Sequence, residues 1–124
     1  MDELKSLSLP HSAEAEQAVL GSILIDARCM AKLVKQLIPD DFYLRQNREL
    51  YEVLCTMFSQ SQTIDPVTVA GKMKQTGIFD EETTVSYLRN LVEITPTAAN
   101  AAEYANIVKE KALLRQASKE EAQR

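Results

Sequence analysis

Few side chains in this sequence stand in a pattern that could carry out chemistry. The one Gly-Lys pair, Gly71-Lys72, invites comparison with a phosphate-binding loop, in which backbone amides cradle a nucleotide. That motif requires a glycine five residues before Gly71, where Pro66 stands, and a serine or threonine after the lysine, where Met73 stands. The pair therefore does not predict a nucleotide site.

Paired carboxylates occur at three places, each where a helix is predicted to begin. They are Glu14 with Glu16, Asp40 with Asp41, and Glu81 with Glu82. Near a helix N-terminus, a carboxylate caps free backbone amides and interacts favourably with the helix dipole. We therefore interpret all three pairs as structural.

The histidine and the cysteines do not assemble a catalytic set either. His11 is the only histidine and is predicted to be solvent-exposed beside the helix cap Ser12. Cys29 and Cys55 lie in apolar helical patterns, which indicates buried, reduced thiols rather than a disulfide or metal ligands. No catalytic, cofactor-binding or metal-binding residue is assigned, which disfavours a small helical enzyme.

The fold that carries these residues is predicted to be all-α. About five or six helices should form one compact domain in this chain of 124 residues. Apolar residues recur at helical spacing, and neither period-two alternation nor a hairpin signal is present. The predicted helices run from Ser12 to near Asp26, from Met30 through Ile38 to Pro39, from Gln46–Asn47 to Phe58, from Asp65-Pro66 to Gly77, from Glu81 to before Pro96, and from Asn100 onward.

Three kinds of core contact are predicted. Leu54 should be buried at the centre of the third helix, and Gly21 should mark a point of close helix packing. Ile78 and Phe79 should return to the core after the fourth helix.

The predicted organisation is an arm over 1–11, a globular helical domain over 12–96, and the start of a helical hairpin or linker over 97–124.

The last helix carries the candidate interface. At 100° per residue, one face holds Tyr104, Ile107, Val108, Lys111 and Leu114. The pattern stops mid-helix, and no later helix follows against which this stripe could pack. The stripe must therefore fold back on the body or pack against another chain. We take its five residues as the candidate subunit or partner interface.

The distribution of charge and the hydropathy of the chain disfavour DNA as the main partner, a membrane span and secretion. Residues 1–100 carry 9 Lys/Arg and 14 Asp/Glu, whereas residues 101–124 carry 5 and 4. An acidic body argues against DNA as the main partner, because phosphates require a basic face. The longest apolar run, Val19–Ile25, is too short to cross a bilayer, and the acidic N-terminus is unlike a secretory signal. The expected location is the cytoplasm.

Five motifs in order resemble the N-terminal domain of bacterial DnaB-type replicative DNA helicases. They are PHSAEAEQAVLGSILID at 10–26, DFY at 41–43, IDPVTV at 64–69, YL at 87–88 with TPTAAN at 95–100, and YA at 104–105 with IVKEKALLR at 107–115. The likeness covers roughly residues 9–117. Two positions depart from the family pattern: Asn47 stands where histidine is frequent, and Thr83-Thr84 replaces a usual Gly-Gly.

The resemblance implies a non-catalytic oligomerisation and primase-interaction domain. The full-length family member is a ring-shaped homohexamer that unwinds DNA with ATP and Mg²⁺, bound by a separate C-terminal ATPase domain that is absent here. The N-terminal domain forms a collar of dimers, so the implied partners are a second copy, primase and a helicase loader. DNA is met only through the full-length ring, and no membrane is involved. The last helix would be the first arm of a truncated helical hairpin.

The main alternative is a stand-alone helical DNA-binding protein. In that interpretation residues 65–77 and the following helix would form a helix-turn-helix. The acidic body disfavours it, as does the scarcity of basic residues on the second helix, where Arg89 is the only one within 81–95. Whether the source is a chromosomal, phage or plasmid helicase stays open at this stage.

Overall fold

The structure is a computed structural model that describes residues 9–77 and 80–122. It contains six α-helices, which we number in chain order: α1 Ala13–Ile25, α2 Met30–Gln36, α3 Arg45–Ser59, α4 Pro66–Thr76, α5 Glu81–Glu93 and α6 Ala101–Ala122. Two short 3-10 turns, Ala27–Cys29 and Pro39–Asp41, precede α2 and α3. No strand occurs in these two ranges, and the all-α prediction is confirmed. Ile78 and Phe79 lie outside the described residues.

Local capping explains where most helices begin and end. The Ser12 hydroxyl accepts a hydrogen bond from the Ala15 amide at 3.1 Å and opens α1. Asp65 and Thr68 cap α4 reciprocally, since each side chain accepts from the other's backbone amide at 2.9 and 3.0 Å. Gly77 ends α4 with a φ of 70°, a conformation that only glycine adopts readily. These helix ends agree with the sequence prediction.

The N-cap of α5 is Asp80, one residue before the predicted start. Its carboxylate accepts a hydrogen bond from the Thr83 amide at 2.7 Å. This bond from the backbone of Thr83 holds the pKa of Asp80 below its ordinary value, because it favours the charged form. Glu81 and Glu82 follow in the first turn, where the helix dipole favours them.

The second helix is shorter than predicted. It ends at Gln36, and both Leu37 and Ile38 are extended. The residue before a proline is driven out of the helical region by steric conflict, and the Asp41 carboxylate accepts a hydrogen bond from the Ile38 amide at 2.8 Å. Leu37 nevertheless stays buried, whereas Ile38 is 56% exposed. The prediction of a helix through Ile38 is therefore wrong.

Helix α1 lies at the centre of the domain, where it packs against α3, α5 and α6. Its residues Val19, Leu20 and Ile23 are completely buried, as is Leu54 of α3. Gly21 marks the closest approach to α5. A Cβ at this position would lie 2.7 Å from the Leu91 carbonyl oxygen, closer than such atoms can approach. The close-packing role predicted for Gly21 is confirmed.

A buried tyrosine ties α3 to the end of α2. The ring of Tyr51 packs against Phe42 with centroids 4.7 Å apart. Its hydroxyl donates to the carbonyls of Leu33 and Leu37, which lie 3.1 and 3.0 Å away. Burial raises the pKa of Tyr51 above its ordinary value and that of Tyr87 to about 12, because the charged phenolate is poorly solvated inside the protein.

These two tyrosines predict a loss of stability in alkali. A group whose pKa is raised by folding contributes stability below its unfolded pKa of 10.0, and that contribution is lost as pH rises through the folded value. We expect the urea unfolding midpoint to fall between about pH 9 and pH 12, over which tyrosines ionise. Tyr51→Phe should show a shallower fall than the parent. Equal slopes in the two proteins would contradict the assignment.

Candidate interaction surface

The long terminal helix α6 is docked on its own domain through small residues. Ala101, Ala105 and Val108 are buried, and α6 packs along α1. Alanine at the first two positions allows the two helix axes to approach closely. Val108, one of the five residues of the predicted stripe, therefore lies in the domain core.

The other four residues of the predicted stripe lie outside the core. Tyr104 and Ile107 are each 37% exposed, Leu114 is 45% exposed, and Lys111 is half-buried. Leu113, on a neighbouring face, is also exposed. We call Tyr104, Ile107, Lys111 and Leu114 the outer stripe of α6. The structure thus brings four of the five candidate residues together on the solvent side of the helix.

The orientation of α6 is fixed by Arg115, a residue that sequence analysis did not single out. Its guanidinium donates to the Pro10 carbonyl at 2.9 Å and to the Asp41 carbonyl at 2.6 Å. It also lies 5.4 Å from the centre of the Tyr43 ring. Lys109 adds an ion pair with the Asp41 carboxylate at 3.2 Å. These contacts hold α6 in one rotation, so the outer stripe faces outward.

His11 also contacts Tyr43. The prediction that His11 is solvent-exposed is wrong. Its ring stacks on Tyr43 with centroids 4.3 Å apart, and its Nδ1 donates to the Leu9 carbonyl at 2.8 Å. The imidazole is half-buried as a result. Arg115 and His11 therefore meet at Tyr43, which connects the N-terminal arm to α6.

Glu16 lies in the first turn of α1 and is structural, as predicted, but its partners lie outside that helix. It is only 1% exposed, and its carboxylate accepts hydrogen bonds from the Tyr43 amide at 2.7 Å, the Leu44 amide at 3.3 Å and the Asn47 side chain at 2.9 Å. The Asn47 oxygen in turn accepts from the Tyr87 hydroxyl. This buried network joins α1, α3 and α5. One signal was available in the sequence: Glu16 precedes Val19 by three residues and Ile23 by seven, which places it on the same helix face as these apolar residues.

The residues with potential for chemistry do not form a reaction centre in the described part of the chain. Gly71 and Lys72 lie inside α4, where backbone amides serve the helix rather than a phosphate. Cys29 and Cys55 are half-buried free thiols whose pKa values are raised by burial. Across 9–77 and 80–122, no group of three His, Cys, Asp or Glu residues could hold a metal ion.

A second apolar surface is a groove of about 630 Å³ between α4 and α5. Its walls include Ala70, Val85 and Val92, and Val67 at its edge is 81% exposed. Gly71 faces open space, since a Cβ there would meet nothing within 4 Å.

No helix in the part of the chain described here is long and apolar enough to span a membrane.

The described residues form an all-helical domain whose longest helix leaves large apolar side chains exposed. A family model described as the DnaB-like helicase N terminal domain matches residues 8–110. The chain belongs to this family, and the resemblance noted in the sequence is confirmed.

Relatives and solved structures agree with this assignment. The chain is 38% identical over 106 residues to the replicative DNA helicase DnaC of Bacillus subtilis (strain 168), a match that covers 86% of this chain and 23% of that protein. It is 38% identical over 116 residues to the replicative DNA helicase DnaB of Geobacillus stearothermophilus, covering 93% and 26%. The chain thus spans about a quarter of the length of these relatives.

The fold matches the crystal structure of the N-terminal domain of DnaB helicase from Mycobacterium tuberculosis. The TM-score is 0.83 at 37% sequence identity, and the match covers 88% of this chain and 76% of the other. The likeness therefore extends over nearly the whole arrangement of helices.

Proposed function

We propose that this chain is the non-catalytic assembly domain of an ATP-dependent replicative DNA helicase that acts in the cytoplasm. It joins subunits of the helicase ring and offers surface to primase and to a helicase loader. ATP hydrolysis with Mg²⁺, and DNA unwinding, belong to a separate C-terminal domain. The names of the relatives and the share of their length that this chain spans support the proposal.

The observation that carries the proposal is the outer stripe of α6. Three large apolar side chains, Tyr104, Ile107 and Leu114, lie exposed on a helix whose opposite face is anchored in the core. Since they are 37–45% exposed, covering what remains of their surface contributes up to about 2–3 kcal/mol for each copy. Two copies of α6 placed side by side around a twofold axis would cover both stripes at once. The domain therefore self-associates through α6.

The test is a charge at the centre of the stripe. The parent domain is expected to form dimers that increase with protein concentration in sedimentation experiments. Ile107→Asp should weaken the dimer by at least about 100-fold, because an unpaired carboxylate in an apolar contact is costly. Circular dichroism should show the helices of the variant unchanged, since Ile107 is outside the domain core.

A matched control places the same charge elsewhere on the same helix. Ala117 is exposed on α6 and lies outside the outer stripe, so Ala117→Asp should leave the dimer intact. A parent domain that stays monomeric at every concentration would refute self-association through α6. Global unfolding of Ile107→Asp would instead assign the stripe to the core of its own chain.

A further inference from the structure

A polar groove of about 410 Å³ lies between the Pro39–Asp41 turn and α6. Arg48 from α3 and Arg115 and Lys119 from α6 line it, together with Asp40 and Asp41 from the turn. On α6, Arg115 lies one turn after Lys111, whereas Ala112, Gln116 and Lys119 lie further round the helix, and no groove residue belongs to the outer stripe. The groove is therefore a separate surface from the one proposed for self-association.

The positive charges of the groove are incompletely neutralised. Arg115 is 7% exposed, and its hydrogen bonds go to two backbone carbonyls, neither of which carries a charge. Arg48 donates to the Phe42 carbonyl at 3.4 Å. The Asp41 carboxylate is engaged by Lys109 and by the Ile38 amide. The arginines thus lack a carboxylate partner among the residues that the structure describes.

The remaining groups at the rim are Lys119 and Asp40. Both are exposed, and neither takes part in an ion pair within the described ranges. The groove therefore presents three cations to one free carboxylate, although the chain as a whole has a formal net charge of −4. This local reversal of charge favours an anionic occupant.

We propose that this groove binds a carboxylate-rich segment of a partner protein. The fork of an arginine such as Arg48 matches a carboxylate in geometry and charge. Nucleic acid fits less well, because a long phosphate chain would pass the carboxylates of Asp40 and Asp41 and the acidic body beyond them. A short acidic segment can end within the groove, where it reaches Arg48 and Lys119 and avoids the acidic body beyond.

The probe is a fluorescent hexaglutamate peptide, titrated into the domain at low ionic strength and followed by anisotropy and by amide chemical shifts. We expect saturable binding, with the largest shifts around Arg48 and Lys119. The double variant Arg48→Gln/Lys119→Gln should weaken binding by about tenfold, as expected for the loss of two exposed ion pairs. Asp40→Asn should tighten binding by roughly threefold, because it removes the competing carboxylate.

The matched control removes the same charge away from the groove. Lys32 and Lys35 are exposed on α2, and neither lines the groove, so Lys32→Gln/Lys35→Gln should change the affinity less than twofold. Equal weakening by both double variants would show general charge attraction and overturn the proposal. Unchanged binding by Asp40→Asn would do the same.

Two further outcomes distinguish this proposal from a nucleic-acid site and from self-association through α6. Tighter binding of a single-stranded oligothymidylate of equal charge, lost in the same groove variant, would assign the site to phosphate and overturn the protein partner. Ile107→Asp should still bind the peptide, because the groove lies away from Ile107. Self-association and groove binding can therefore fail independently.

Discussion

Glu16→Ala is expected to lower the free energy of unfolding by about 3–5 kcal/mol, which is the largest effect expected in this domain. The substitution leaves three donors without their acceptor: two backbone amides, of Tyr43 and Leu44, and the side chain of Asn47. The Asn47 side chain is buried and the two amides are part-buried beside a carboxylate that is 1% exposed, so water cannot replace that carboxylate without cost. Denaturant unfolding measured by circular dichroism gives the change.

Two variants make this expectation specific. Glu14 stands in the same first turn of α1 but is exposed, so Glu14→Ala should cost no more than about 0.5 kcal/mol. Glu16→Gln should recover only part of the loss, because an amide offers one acceptor oxygen and turns its own donor toward the others. Equal effects of Glu14→Ala and Glu16→Ala would show that the buried network contributes nothing to stability.

Local rules in the sequence account for most of the fold. The caps Ser12 and Asp65 and the left-handed Gly77 act within three or four residues, so their effect is visible in the sequence itself. The error at Ile38 has a local cause in the following proline. A second cause is the Asp41 carboxylate, which accepts the hydrogen bond that the Ile38 amide would otherwise donate within the helix. Apolar spacing alone does not register either effect.

The candidate surface was predicted less completely, because its geometry depends on distant contacts. Helical spacing grouped Val108 with Tyr104 and Ile107, but the inward face of α6 is centred on small residues such as Ala105 rather than on large ones. The rotation of α6 is set by Arg115, which reaches the carbonyl of Pro10, 105 residues earlier. Periodicity identifies a stripe on one helix and does not show which edge of that stripe meets a neighbouring helix.

Glu16 also shows that local sequence rules do not reveal contacts with distant residues. The preference of acidic residues for the first turn of a helix is a local rule, and it describes Glu14 correctly. The partners of Glu16 lie 27 to 31 residues further along the chain, where the turn before α3 supplies free amides. Two glutamates two residues apart therefore have different roles, and the difference depends on which of them faces the core.

The glycines allow a prediction in which one substitution has opposite signs at two sites. Alanine is favoured over glycine inside a helix by about 0.5–1 kcal/mol. Gly71→Ala should show this gain, because a Cβ there meets nothing within 4 Å. Gly21→Ala should instead destabilise the domain by about 2–3 kcal/mol, because its Cβ would lie 2.7 Å from the Leu91 carbonyl and 2.9 Å from the Thr95 Cβ.

The strain at Gly21 has no inexpensive relief. The Leu91 carbonyl belongs to the backbone of α5, and Thr95 is held by a hydrogen bond from its hydroxyl to that same carbonyl at 2.7 Å. Accommodating a methyl group therefore requires α1 and α5 to separate, which opens space around Leu88 and Leu91 in the core. Thermal or urea unfolding of the two alanine variants beside the parent decides the matter. A stabilised Gly21→Ala would mean that the two helices are not in close contact, and that the core of this domain is arranged differently around α1.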